Sequence, residues 1–181
     1  MKNYIAICLV ALLCGCASQH NAVATNADTY LSELQTLDLD YHKYESYQQY
    51  YNIVCGRMAD WLNRINDPEE FRILFWKCHS AWKAKPAVAQ DQLQWIDPHA
   101  ESKNLILYRL ADIRTSDAAR VVVDLCYDPK AGWDGDCGLA AEDAVVKCGK
   151  VALPFLREKN EAGRDAHRLI RLIESGGTTA F

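Results

Sequence analysis

Residues 30–70 read YLSELQTLDLDYHKYESYQQYYNIVCGRMADWLNRINDPEE, and the periodicity of this stretch decides the fold class. Tyr30, Leu34, Leu37, Tyr41, Tyr44, Gln48, Tyr51, Cys55, Met58, Leu62 and Ile65 recur at alternating intervals of four and three, with only Gln48 breaking the apolar series. That period predicts one face of a helix sustained for about ten turns. Gly56 weakens the helix and marks a bend or a break. Asp67-Pro68-Glu69-Glu70 is a restart signal. Asp67 caps, Pro68 fits the first helical position, and two carboxylates meet the positive end of the helix dipole. Phe71, Leu74, Phe75, Cys78 and Trp82 then repeat at three and four. Residues 28–84 thus read as a long αα-hairpin turning at Asn66-Asp67.

Downstream the pattern stays helical. Asp97-Pro98 is a second cap-and-proline start, before an apolar series over 105–113. Thr115-Ser116-Asp117 caps a segment over 118–126. Residues 128–138 are rich in Asp, Gly and Pro and form a loop. Residues 139–148, 150–159 and 164–175 are three more helical segments, ended by Gly176-Gly177. Val121-Val122-Val123 is the one strand-like run, and the capping residues before it argue for helix. The expected fold is all-α, with a hairpin region over 28–96 and a second helical region over 97–181.

The N-terminus carries a different message. Met1-Lys2-Asn3 precedes an apolar run over 4–13 and then Leu13-Cys14-Gly15-Cys16. A basic start, a short apolar core and small residues have the layout of a secretory signal. The apolar run falls short of the roughly 20 residues that span a bilayer. The Leu-x-Gly-Cys ending resembles the lipobox of bacterial lipoproteins. The resemblance implies that residues 1–15 are a signal peptide and that Cys16 becomes the acylated, palmitate-bearing first residue. It also implies that a flexible linker over 16–27 tethers the body to a membrane. Ordinary secretion and an uncut anchor are the alternatives. Ala17 resembles the residue that follows the cysteine in lipoproteins sorted to the outer membrane, which implies a body facing the periplasm.

Residues 100–175 resemble HEAT-type helical repeats. Asp117-Ala118-Ala119 with Val122, Val123 and Leu125 looks like the second helix of one unit. Leu139-Ala140-Ala141 with Ala144, Val145 and Gly149 looks like the first helix of the next. Val151 to Leu156 looks like its partner, and Ala166, Leu169, Ile170 and Ile173 begin a last helix. The resemblance implies antiparallel helix pairs that stack because one pair cannot bury its apolar face alone. The loop over 128–138 departs from a compact repeat.

Composition narrows the partners. Half of the residues are hydrophobic, enough for a proper core, and the formal net charge is −4. With a pI near 5.7 and no Lys/Arg cluster, nucleic acid is not an expected partner. No polybasic segment follows Cys16, so the lipid rather than charge attraction would hold the membrane.

Cysteines carry the next expectations. An exported chain permits disulfides. Cys55 and Cys78 stand about eleven residues either side of the predicted hairpin turn, so they sit level and are expected to pair. Cys126 and Cys137 flank the loop and are expected to meet across its mouth, with Cys148 as a buried thiol. Cys148 in place of Cys137 is the chief competitor.

The loop carboxylates Asp128, Asp134 and Asp136 form a weak calcium candidate, because calcium prefers several oxygen ligands on such a loop. The EF-hand order is missing, and a solvated turn with capping carboxylates is the simpler reading. Trp133 at the loop tip either contacts a partner or folds back onto the domain. Among the tyrosines of 41–51 most read as core, whereas Tyr47 and Tyr50 fall off the ladder and are the surface candidates. The five histidines show no metal-ligand spacing, and no nucleophile elbow, P-loop or dinucleotide fingerprint occurs. No catalytic residue and no cofactor is expected. The sequence thus points to a lipid-anchored helical module that holds a protein in the cell envelope, of immunity or adaptor type. A cell-wall-acting enzyme and a calcium-stabilised structural lipoprotein are the alternatives.

Overall fold

The computed structural model describes residues 25–84, 97–133 and 136–177, with only the backbone for Tyr41, Asp136 and Cys137. Cys16, the leader and most of the linker lie outside the described residues, as does Asp134. The fold is all-α, and no strand occurs among the described residues. The helices are α1 (Asn26–Leu34), α2 (Tyr47–Leu62), α3 (Pro68–Lys83), α4 (Pro98–Ile113), α5 (Ser116–Cys126), α6 (Asp136–Cys148), α7 (Leu153–Glu161) and α8 (His167–Glu174). Short 3-10 turns occupy Tyr41–Lys43, Pro129–Ala131 and Gly149–Ala152.

The ten-turn helix expected from the ladder is two helices. Between α1 and α2 the backbone amides find side-chain partners that compete with helical bonds. Asp38 Oδ1 accepts from the Asp40 amide at 3.1 Å, and Asp40 Oδ1 from the His42 amide at 3.2 Å. The Lys43 ammonium closes onto Asp38 at 2.5 Å. Ser46 Oγ then accepts from the Gln49 amide at 3.2 Å and starts α2 as its N-cap. Gly56, where a break was expected, lies inside α2. The ladder still marks the buried face. Tyr30, Leu34, Cys55, Met58, Leu62 and Ile65 are buried, with Leu37, Tyr44 and Tyr51 packed partly against them.

The starts of α3, α4 and α5 form as their sequences predict. Asp67 accepts from the Glu69 amide at 2.9 Å, with Pro68 in the first turn. Asp97 accepts from the His99 and Ala100 amides, again ahead of a proline. Thr115 caps α5 through the Ala118 amide at 3.3 Å.

Packing follows one rule through the described residues. Each odd-numbered helix rests on the next odd one, α1 on α3, α3 on α5 and α5 on α7. Each even-numbered helix likewise rests on the next even one, from α2 through α4 and α6 to α8. Two layers result, with neighbours in sequence facing across them. The exceptions are α2 with α3, which make few direct contacts because α1 and α4 pack against both, and α6 with α7, which meet through the turn Gly149–Ala152. The long hairpin expected over 28–84 is therefore opened into a wedge. A single buried cluster runs from Ala27 and Tyr30 through Phe71, Phe75, Leu107 and Val122 to Ile173. Each large apolar side chain in it contributes about 1.5–3 kcal/mol relative to exposure.

Candidate binding site

The loop after α5 builds the first candidate site. Asp128 accepts from the Lys130 amide at 2.8 Å and caps the turn Pro129–Ala131. Gly132 follows at φ +61°, a conformation that favours glycine, and a Cβ there would come 3.9 Å from the His79 ring. The reversal folds Trp133 back under α5, where its indole N–H donates to the Leu125 carbonyl at 2.8 Å. Its ring lies 5.5 Å from that of Phe75. Lys103, only 3% exposed, locks the arrangement from α4. Its ammonium donates to the Ala131 carbonyl at 2.8 Å and stands 4.7 Å from the Trp133 ring centre and 5.0 Å from that of Trp82. His79 is set edge-on between Trp76 and Trp82. Burial, with the Lys103 and Lys83 charges, holds its pKa below the usual histidine range, and Asp128 opposes the shift. Of the two readings of Trp133, the folded-back one describes the structure.

Folding Trp133 back leaves a cavity of about 330 Å³ between the loop, α6 and α8. Tyr127, Trp133, Leu139, Glu142, Asp165 and Leu169 line it. The Tyr127 hydroxyl donates to the Asp165 carbonyl at 3.3 Å, and Glu142 pairs with Arg168 of α8. Cys126 stands in the wall, and burial pushes its thiol up to about 12.

A second depression runs along the outer face of α3. Two adjoining hollows of about 600 and 520 Å³ share Ile73 and Lys77. One also touches Thr25, Asp67 and Glu69, and the other Trp76 and Ser80. Ile73 is 53% exposed on a helix whose opposite face is core. Lys77 is paired with Asp28, and Arg72 with Glu69 and Asp124, so the rim is charged but balanced.

Several expected residues stand elsewhere. Cys55, Cys78 and Cys126 are free thiols, so neither the Cys55–Cys78 nor the Cys126–Cys137 bridge is formed. The wedge explains the first. Cys55 bonds with Tyr51 of its own helix and Cys78 with Ser102 of α4, so each sulfur has a partner other than the other cysteine. Cys126 faces the cavity, where it feels the charges of Glu142 and Arg168. Burial raises the Cys55 thiol to about 11 and those of Cys78 and Cys148 to about 12, so all four described thiols are protonated and weakly nucleophilic at neutral pH. Tyr50, expected at the surface, is 1% exposed, because the later start of α2 turns it inward against Tyr44. Tyr47 is 44% exposed and stacks on Tyr51. Asp128 is a capping residue, and no group of three metal-ligating side chains occurs among the described residues. The side chains of Asp136 and Cys137 lie outside the described residues, together with Asp134 and Cys16.

Ile73 and Trp76 escaped the sequence reading although their signal was present: both are apolar residues standing off the 71-74-75-78-82 stripe. Glu142, Asp165 and Arg168 come together only through the fold and left no such signal. The chain matches no protein-family model, no curated protein and no solved structure.

Proposed function

We propose that this chain is a lipid-anchored helical module of the bacterial cell envelope that holds a partner protein, as an immunity-type or adaptor lipoprotein. The observation that carries the reading is the groove on the outer face of α3. Ile73 and Trp76 lie bare or half-bare there beside balanced ion pairs, the chemistry of a partner contact rather than of a closed surface. The two-layer stacking of alternate helices supports a repeat-type scaffold of the HEAT kind, whose extended faces suit protein partners. The Leu13–Cys16 motif supports the anchor, and no helix among the described residues is long and apolar enough to cross a membrane. Outer-membrane attachment facing the periplasm belongs to the same proposal and rests on Ala17.

Two measurements test it. Cells fed an alkyne-bearing palmitate are expected to label the wild-type chain and not Cys16→Ser; an unlabelled wild type in the soluble fraction removes the anchor. A photo-crosslinker at Ile73 is expected to give one discrete adduct on intact membranes, and one at the exposed Glu158 none. Equal patterns at both positions remove the groove. Protection of cells from a co-produced exported toxin separates the immunity role from the adaptor role.

A further inference from the structure

We infer that the cavity beside Trp133 receives a guanidinium side chain of the partner, and that Arg168 holds that charge's place in the free protein. The protein source of the cation rests on the partner-holding reading above; the chemistry of the cavity is tested without it. At about 330 Å³ the cavity is of single-side-chain scale, near the lower limit of ligand pockets, about 300 Å³. Both aromatic walls have committed their polar ends elsewhere. The Trp133 N–H is bound to Leu125 and the Tyr127 hydroxyl to Asp165, so what they offer is ring surface, that of Tyr127 and the part of Trp133 not taken by Lys103 and Phe75. Glu142 and Asp165 supply carboxylates beside those rings. Leu139, 42% exposed, and Leu169 supply an apolar strip for an aliphatic stem.

Ring surface with carboxylate at its edge selects a planar, weakly hydrated cation and repels an anion. The protein already satisfies Glu142 with such a group. Arg168 reaches it from α8 with 59% of its side chain exposed. An exposed ion pair of this kind is weak and exchangeable. A partner arginine that also gains the aromatic faces and the apolar strip displaces it.

The test uses the whole mature chain and N-acetyl-arginine methylamide as probe, with the neutral isostere N-acetyl-citrulline methylamide as control. The readout is the Trp133 indole N–H resonance, assigned by its loss in Trp133→Phe. The arginine compound is expected to shift it saturably and the citrulline compound not at all. Glu142→Gln is expected to weaken binding tenfold or more. Arg168→Gln is expected to tighten it three- to tenfold, because the internal competitor is gone; Arg168→Met gives the same readout should the first variant melt early. Equal responses to the two compounds, an unchanged affinity in Glu142→Gln, or no tightening on removal of Arg168 would each overturn the inference. A crosslink at Ile73 that persists through such a failure leaves the partner-holding reading standing, and a lost crosslink with intact arginine binding does the reverse.

Discussion

Arg114 ends α4 in the left-handed region at φ +56°, where a residue with a Cβ is strained and glycine is not. Its side chain is exposed, so little packing is lost by removing it. Arg114→Gly is expected to raise stability by about 0.5–1 kcal/mol, read as a higher urea midpoint with an unchanged slope. His79 gives the opposite kind of prediction. Its proton affinity is depressed in the fold, so the neutral ring is favoured there, while the unfolded chain protonates near the ordinary value of 6.5. The stabilisation is present above pH 6.5 and is lost as the pH falls through the depressed folded value. His79→Phe keeps a ring between Trp76 and Trp82 but does not titrate. Its melting temperature is expected to fall less than that of the wild type between pH 7 and pH 5, and parallel falls would show that His79 is not a source of the acid sensitivity.

At the scale of the element, the interruption between α1 and α2 shows what periodicity can and cannot tell. The four-three ladder from Tyr30 to Ile65 identified the buried face on both sides of the break, because burial follows apolar position. It did not reveal the break, because Asp38, Asp40 and Ser46 act through backbone amides two or three residues on, and such bonds do not disturb an apolar count. The starts at Asp67, Asp97 and Thr115 were legible because cap, proline and carboxylate stand together there. The cavity was illegible for a further reason: Tyr127, Glu142, Asp165 and Arg168 stand on separate elements and meet only when α5, α6 and α8 pack. The Cys55–Cys78 pairing failed with the hairpin that implied it. One substitution decides between a broken and a continuous helix. Inside a helix, Ser46→Ala would be neutral or slightly stabilising, since alanine is the better helix former. As the loss of an N-cap it is expected to cost about 1 kcal/mol, seen in the urea midpoint.

Over the whole molecule, the alternation of odd and even layers makes stability a matter of neighbours. Beyond α4, α5 and α6 each rest on the two helices before them, α7 rests on α5, and α8 closes the end of the stack on α6 and α7. Quasi-linear scaffolds of this kind sum local stabilities with interface terms, so damage at one end need not reach the other. Leu169, 3% exposed on α8, is the place to test this. Leu169→Ala removes buried methyl groups at an expected cost of about 2–5 kcal/mol. Hydrogen exchange is expected to quicken in α6, α7 and α8, while amides of α1, α2 and α3 keep their wild-type protection. The buried cluster argues the other way, since it runs unbroken from Ala27 to Ile173 and could unfold as one unit. The α3–α4 contact is the broadest route by which the loss could spread to α1 and α3 without first undoing α5. A uniform quickening along the chain would therefore mean that this contact couples the two halves, and that the stack behaves as one cooperative core rather than as a series of repeats.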